Sequence, residues 1–478
     1  MKNYFIVLFC LLFINTYALI RNVTGSYSTI QSAINSSQNG DTVLVEPGTY
    51  TENINFRGKK IVLTSRFYLS NNLSYIQTTI INGSNPSNPD SASCVIINNG
   101  EDSTTVIQGF TITGGSGTKW LDEHGAGLYR EGGGILTAYT SPIIRFNIIK
   151  NNYVMNTAGV VSTGGGGMRL GDGKPQVYNN IIMSNTGKYG AGVVLNYTGC
   201  IMKNNIICFN SQSSSYGGGS GVWVNNNLGT APKIIENNTI ANNSATGSGV
   251  AGIYLYSGTL IVRNNIIWNN SSPLNNQIGG SVTATYNNVQ GGYSGAGNIN
   301  VNPLWADTNF ILSNGSPCID KGDSSIIYND PPDPGNPSNA KFPAKGTLRN
   351  DMGAYGGAGS SLLSPNAVIG IEKLNQIIPD GFNLHQNYPN PFNPTTKIKF
   401  DIPVRTVIAR SGATWQSLKV SLKIFDVIGR EIATLIKEEL KAGTYEITFN
   451  AGILPSGVYF YKLQAGDYSE TKKMILLK

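Results

Sequence analysis

One phrase recurs through the middle of this chain: an apolar residue, then an asparagine, then isoleucine. It reads SPIIRFNIIKNN from Ser141, KPQVYNNIIMSN from Lys174, GCIMKNNIICFN from Gly199, APKIIENNTIANN from Ala231 and TLIVRNNIIWNN from Thr259. YNNVQGG from Tyr286 is a shorter last copy. Aligned on the second asparagine, the slot falls at Asn147, Asn180, Asn205, Asn238, Asn265 and Asn288, with Phe110 of VIQGFTITGG in the same place upstream. Each unit is made of short β-favouring runs at an irregular spacing of a few tens of residues, which points to a solenoid of stacked coils. Helical repeats are excluded, because asparagine and glycine are poor in helix interiors and the apolar residues do not recur every 3.6 positions.

The logic within a copy is regular. Three positions before the slot stands Ile144, Val177, Met202, Ile235 or Val262, and two positions after it Ile149, Ile182, Ile207, Ile240 or Ile267. The slot asparagine between them marks a sharp bend, since asparagine tolerates left-handed backbone and bonds its own main chain. Stacked asparagines also satisfy each other's amides where the bend faces inward. A second asparagine five residues on (Asn152, Asn185, Asn210, Asn243, Asn270) closes that face, and the glycine runs from Gly132, Gly164, Gly190 and Gly219 begin the next. Each aliphatic side chain buried by stacking contributes ~1.5–3 kcal/mol. Ordering the backbone costs ~1–2 kcal/mol per residue, so an isolated coil is not expected to be stable.

Composition sets the surroundings. Charged residues make up only 13% of the chain, and the formal charge of +7 is spread without a basic block. Nucleic acid is therefore not an expected partner. Residues 1–18, MKNYFIVLFCLLFINTYA, have the positive start, short apolar stretch and small-residue exit of a secretory signal peptide. No other segment approaches the ~20 apolar residues of a transmembrane helix. Of the remaining cysteines, Cys94, Cys200, Cys208 and Cys318, none forms a CxxC pair. Cys200 and Cys208 occupy apolar slots of one repeat, so buried free thiols are favoured over a disulfide.

The opening YSTIQSAINSSQNGDTVLVEPGTYTENI from Tyr27, together with the NNII copies, resembles a right-handed parallel β-helix of the pectin-lyase-like kind over residues 19–300. The resemblance implies a short capping helix with Ile30, Ala33 and Ile34 on its apolar stripe, and a first strand carrying Val43 and Val45. Residues 301–360, with NPLWADTNFILSNGSPCIDKGD and NDMGAYGG, are similar to the segments that finish exported bacterial β-helix proteins. There Asp320, Asp323, Asp351 and Gly353 are the polar landmarks. Loop fixing and end capping are the favoured roles for them, with calcium as the alternative cofactor.

After a linker over 361–380, residues 381–478 alternate apolar and polar positions between Gly and Pro turns, which reads as a small β-sandwich. The fold class expected is therefore all-β: a solenoid followed by a sandwich. The tail closely resembles the type A sorting domain of type IX secretion substrates. Its first motif is matched by Asn387, Tyr388, Pro389, Asn390, Pro391, Phe392, Asn393 and Pro394. Its second, KIFDVIGR, contains Gly429, and its last is matched by Ser456 and Gly457 of SGVYFY with Lys472 and Lys473 of KKMILLK. The resemblance implies the type IX secretion machinery as partner, a secreted or outer-surface location, and tail removal with attachment to lipopolysaccharide or release. The insertion RTVIARSGATWQS (405–417) leaves the strand register around it open.

Two functions remain open. In one, the solenoid is a polysaccharide lyase or glycoside hydrolase. Its candidate catalytic residues are Asp122, Glu123, His124, Arg130 and Glu131 of WLDEHGAGLYREGGG, with Arg169, Asp172 and Lys174 projecting from the next copy. Loops on a rigid scaffold are where chemistry tends to sit. In the other, the solenoid binds polysaccharide or a surface partner without chemistry. Tyr153, Tyr178 and Trp223 lead the ligand-binding candidates there, among Tyr189, Tyr197, Tyr216, Tyr254, Tyr256 and Trp268. The scarcity of carboxylates between Cys94 and Asn300 (Glu101, Asp102, Asp122, Glu123, Glu131, Asp172 and Glu236) favours binding.

Overall fold

A computed structural model describes residues 18–363, 372–375 and 379–477, less 123, 155–156, 213–217, 247–248, 274–275, 394, 404–405, 410–411, 416–417, 441 and 452–453. The signal peptide expected at 1–18 lies outside them, Ala18 excepted.

Apolar side chains every coil apart can be buried together only if successive coils pair in register. They do so in three all-parallel sheets. Sheet A has ten strands from Ile20–Val23 to Thr283–Thr285, sheet B nine from Gly48–Tyr50 to Asn288–Val289, and sheet C eight from Ile54–Asn55 to Ile278–Gly279. Each coil runs A, B, C. On sheet A the partners Ile144, Val177, Met202, Ile235 and Val262 stand over one another. Ile149, Ile182, Ile207, Ile240 and Ile267 do so on sheet B, and Ile135, Met168, Val193, Val222 and Ile253 on sheet C. All belong to one continuous core, and the chain is a parallel β-helix. Helix Ile30–Ser36 closes its start with Ile30, Ala33 and Ile34 buried, its first turn held by a Thr29–Ser32 capping box.

The corners are held by amides. Between sheets A and B each slot asparagine donates Nδ2–H to Oδ1 of the next: Asn147 to Asn180 at 3.1 Å, Asn180 to Asn205 at 3.0 Å, Asn205 to Asn238 at 2.9 Å and Asn238 to Asn265 at 3.1 Å. The same oxygen also accepts the previous asparagine's backbone N–H. Phe110 begins the column, its N–H reaching Asn147 Oδ1. A second column, Asn152, Asn185, Asn210, Asn243 and Asn270, turns sheet B towards sheet C and ends on Gln277. The inner amides of both columns are fully buried.

Two details differ from expectation. The left-handed backbone falls not on the slot asparagine but on the residue before it: Phe146, Asn179, Asn204, Asn237, Asn264 and Tyr286. The amide of the slot residue is committed to the column, so the turn is made by its neighbour. In the last copy the column passes through Asn287, not Asn288, at 2.9 Å from Asn265. Asn288 pairs with Ile266 and occupies an isoleucine position.

The glycine runs answer a close approach. A Cβ on Gly192 would lie 2.5 Å from Gly221 O, and one on Gly167 would lie 2.4 Å from Gly192 O. Coils at this corner touch backbone to backbone, so a side chain there would force them apart. All four described cysteines are free and buried. Burial pushes their thiols up, to about 12 for Cys94 and about 11 for Cys318, so they pack as small apolar groups.

The second isoleucine of each pair faces the core; the first faces out. Ile148, Ile181 and Ile206 are covered together with Phe67 and Ile76 of two short helices and with Phe310, Ala354, Tyr355 and Leu363. Residues 350–359 run back along the column of left-handed asparagines. Asn237 Nδ2 donates to Asn350 Oδ1 and Asp351 O, Asn204 Nδ2 to Ala354 O and Gly356 O, and Asn179 Nδ2 to Gly359 O. Asn264 O accepts the Gly353 N–H at 2.8 Å. The first asparagine of each pair thus turns the chain and binds this strap.

The tail forms two four-stranded antiparallel sheets. One runs in the order Glu372–Asn375, Gly443–Asn450, Thr395–Ile402, Asn383–Leu384, and the other Glu431–Leu440, Leu418–Phe425, Gly457–Ala465, Tyr468–Leu476. Phe392, Phe400, Ile424, Ile447, Tyr461 and Leu463 are among the core residues between them. The expected linker therefore contributes an edge strand, Glu372–Asn375. Within the insertion at 405–417, Thr406–Ala409 pairs antiparallel with Gly412–Trp415, apart from the two sheets.

Asn205→Ala should destabilise the solenoid by about 3 kcal/mol or more in urea unfolding, because it strands buried donors and acceptors on both neighbouring coils. Asn204→Ala, which loses strap contacts and places alanine in left-handed backbone, should cost about 1–3 kcal/mol. Equal small effects at both positions would contradict the assignment of the column to the second asparagine.

Candidate functional site

The candidate loop is a hairpin at the corner between sheets B and C. Gly117–Leu121 pairs antiparallel with Leu128–Glu131, placing Trp120 opposite Tyr129, and Arg130 continues the pairing to Thr163. Glu123 and Tyr216 lie outside the described residues. The other four catalytic candidates divide between the hairpin's tip and its base.

At the tip, Asp122 Oδ1 accepts the N–H groups of His124 and Ala126, and Oδ2 accepts Asn196 Nδ2 at 3.3 Å. The His124 ring stacks on Tyr197 with centroids 3.4 Å apart, and its Nε2 lies 3.0 Å from Asp172 Oδ1. Asp172, Asn196 and Tyr197, all from the sheet C end of two later coils, therefore clasp the tip. The sequence places Asp172 on the copy after this loop, and only coil register brings Asn196 beside Asp122.

At the base, Arg130 and Glu131 are buried. Arg130 donates to Pro89 O, Gly117 O, Asp90 Oδ1 and Thr157 Oγ1. Glu131 Oε2 accepts Arg169 Nε at 3.2 Å, and its Oε1 accepts the Tyr189 hydroxyl at 2.5 Å. Burial, reinforced by the Glu131 carboxylate, holds the Tyr189 hydroxyl well above the usual tyrosine range. Arg169 is fully buried, also donates to Thr137 O, and lies 5.8 Å from the Trp120 ring centroid. These contacts tie the hairpin to sheet C. Lys174 stands exposed, with its N–H on Ser141 Oγ.

The other described carboxylates of this region also have structural partners. Glu101 accepts the N–H groups of Gly58 and Asn99, Asp102 pairs with Lys60 at 2.8 Å, and Glu236 pairs with Lys203 and Arg263. In the terminal cap, Asp351 accepts the N–H groups of Asp320 and Lys345, both at 2.8 Å. Asp320 accepts the N–H and hydroxyl of Thr347, and Asp323 accepts the Ser325 N–H. The cap carboxylates thus fix loops, and among the described residues no three His, Cys, Asp or Glu side chains gather as a metal site. Asp330, which no sequence motif singles out, is buried beside Asp351 and accepts its N–H and that of Gly357. Burial raises both carboxyls above the ordinary range, Asp330 the more.

The three ligand-binding candidates fall on three faces. Tyr153 is exposed at the corner after sheet B, bridging to Thr186. Tyr178 is half-buried on sheet A, its hydroxyl on Gln176. Trp223 lies on the outer face of sheet C, 4.9 Å from the Tyr189 ring and 5.7 Å from Tyr256, with Tyr129 and Tyr254 packed nearby. Beside this patch, Asn225 Nδ2 donates to Asn196 Oδ1 at 3.0 Å. Val194, Trp223 and Tyr254 are direct register partners, so aligning the glycine runs would have exposed the patch in the sequence.

In the tail the motif residues converge. Asn387 donates its N–H to the Tyr461 hydroxyl and its Nδ2–H to Thr396 Oγ1 and Pro389 O. Asn390 Oδ1 accepts the Ile475 N–H, and Phe392 exchanges backbone bonds with Ile475 and Leu477. Gly429, at φ +81°, completes a turn in which Asp426 Oδ1 accepts the N–H groups of Ile428 and Arg430. Gly457 opens the strand that pairs with the last one, where Lys472 and Lys473 face Tyr461 and Phe460. Tyr388 and Asn393 are exposed, Ser456 lies in the turn before Gly457, and Pro394 lies outside the described residues.

Residues 386–477 match the family described as the secretion system C-terminal sorting domain. No curated protein matches the chain. The domain marks a protein delivered by the type IX system to the cell surface or beyond. No described helix is long and apolar enough to cross a membrane.

The buried cap carboxyls give a pH test. A carboxyl whose folded pKa is raised contributes stability that is present below its unfolded pKa and lost as pH rises through the folded value. Asp330→Asn should therefore gain stability relative to the parent as pH rises from ~5 to ~9, measured by protease resistance of the cap. A difference independent of pH, or one that shrinks, would contradict the burial argument.

Proposed function

We propose that the solenoid of this exported protein binds polysaccharide on the outer face of sheet C, while the tail directs type IX export and subsequent attachment to surface lipopolysaccharide or release. The observation that carries the first part is an aromatic stack on sheet C, in which exposed Tyr256 lies against Trp223 and Trp223 against Tyr189, the last two buried beneath it. Tyr256 stands 60% exposed, and aromatic rings with one apolar face and a polar tip suit the alternating C–H and hydroxyl surfaces of sugars. Asn196 and Asn225 lie at its edge as neutral amides.

A lyase or hydrolase needs a base or a carboxylate pair free to act on substrate. Here Arg130 is spent on backbone carbonyls, Glu131 on Arg169 and Tyr189, and Asp122 on the hairpin's own turn. That commitment supports binding over chemistry.

The test is co-sedimentation of the mature protein with insoluble neutral and acidic polysaccharides, with product analysis alongside. Retention without new reducing ends or unsaturated sugar is expected. Tyr256→Ala should weaken it about tenfold, the loss of a central aromatic contact, and Trp223→Ala should do so by removing the ring that supports Tyr256. Unsaturated product would instead establish a lyase, and new reducing ends a hydrolase. Retention unchanged in both variants would move the binding surface off sheet C.

A further inference from the structure

The sorting motifs are far apart in the sequence, yet strand pairing brings one end of each to the same end of the sandwich. Strand Leu418–Phe425 runs to that end, with Phe425 opposite Phe460, and there the chain turns through residues 426–430. Strand Gly457–Ala465 begins there, and Tyr468–Leu476 finishes there, with Gly457 opposite Leu476. Asn390 and Phe392 are stitched to Ile475 and Leu477 at the same end. Four motif segments thus lie at one end of the sandwich.

That end is apolar where a turn is usually polar. Val427 is 67% exposed, Ile428 72% and Leu477 54%. The turn that presents them is held firmly: Asp426 accepts two backbone N–H groups, its other oxygen pairs with Arg430 Nε at 2.7 Å, and Gly429 supplies the positive φ. Two adjacent branched aliphatic residues at the apex of a braced turn contribute nothing to the sandwich core, which is filled by other residues. Contiguous exposed apolar side chains on a firm support are the form of a protein-docking site.

We infer that this end of the sandwich, formed by Val427, Ile428 and Leu477 beside the Asn390–Phe392 segment, is the surface by which the type IX machinery holds the protein, inserting the turn into an apolar pocket of the translocating apparatus. The inference rests on the sorting-domain match, which supplies the partner; the end surface supplies the place. Because the three side chains are exposed, replacing them should leave folding unchanged from the parent.

The experiment follows export of the full chain in a bacterium that possesses a type IX system. Val427→Ser/Ile428→Ser and, separately, Leu477→Ser are compared with Ile326→Ser/Ile327→Ser, an equally exposed apolar pair outside the sorting domain. The first two variants should lower the surface and medium fraction about tenfold and accumulate in the periplasm as folded, protease-resistant protein. The Ile326/Ile327 variant should export like the parent. Normal export of both tail variants would overturn the docking surface. Periplasmic protein that has lost its protease resistance would overturn it too, by assigning the residues to folding. A chain lacking 386–477 serves as the outer control: if it too reached the surface, the sorting assignment itself would fall, independently of where the docking surface lies.

Discussion

The buried side-chain amide of one asparagine per corner is the interaction on which the rest of this molecule depends. A coil can stack only if its chain turns inside the protein, and a turn inside the protein leaves backbone groups away from water. Asn205 resolves this for its corner. Its oxygen takes the backbone and side-chain N–H of Asn180, and its nitrogen serves Val177 O, Lys203 O and Asn238 Oδ1. Neither aspartate nor leucine could do both. Repeated at two of three corners, the amides set the coil register, and the register places every other residue discussed.

From this follows the division of labour between paired residues that look equivalent. In each NN pair the second residue enters the column while the first takes the left-handed backbone and reaches outward to the strap at 350–359. In each II pair the second enters the core while the first packs beneath the strap or the short helices. The corner between B and C carries glycines beside its asparagine column, because its coils touch there backbone to backbone. Hairpin 117–131 leaves from the corner between B and C, whereas the short helices within 67–78 leave from the corner between A and B.

The solenoid was legible in the sequence because its determinants are local and periodic: the alternation around Asn147 or Asn205 needs no partner beyond the next copy. What was not legible depended on distance. The strap partners of Asn237 lie at Asn350 and Asp351, and nothing near Asn237 announces them. Asp122 and His124 looked like reactive groups because their clasps, Asn196, Tyr197 and Asp172, come from other coils. Tyr178 and Trp223 were grouped as aromatics, but a strand's place in the coil put them on sheets A and C. The shift from Asn288 to Asn287 was hidden for another reason: in the worn last copy either asparagine satisfies the pattern, and only pairing with Asn265 decides. The tail was read most fully, since its turns carry their own chemistry in Asp426, Gly429 and the prolines.

The claim that the amide columns organise the solenoid is tested most directly by native-state hydrogen exchange, resolved to single backbone amides by mass spectrometric fragmentation. The N–H groups of Asn147, Asn180, Asn205 and Asn238 each donate to the next asparagine's side chain at 2.8–3.0 Å. They should exchange as slowly as the strand amides of Ile149, Ile182, Ile207 and Ile240, opening only when the solenoid unfolds. Corner amides that exchange well ahead of those strands would mean that the coils are held by their sheets, with the asparagines following a register set elsewhere.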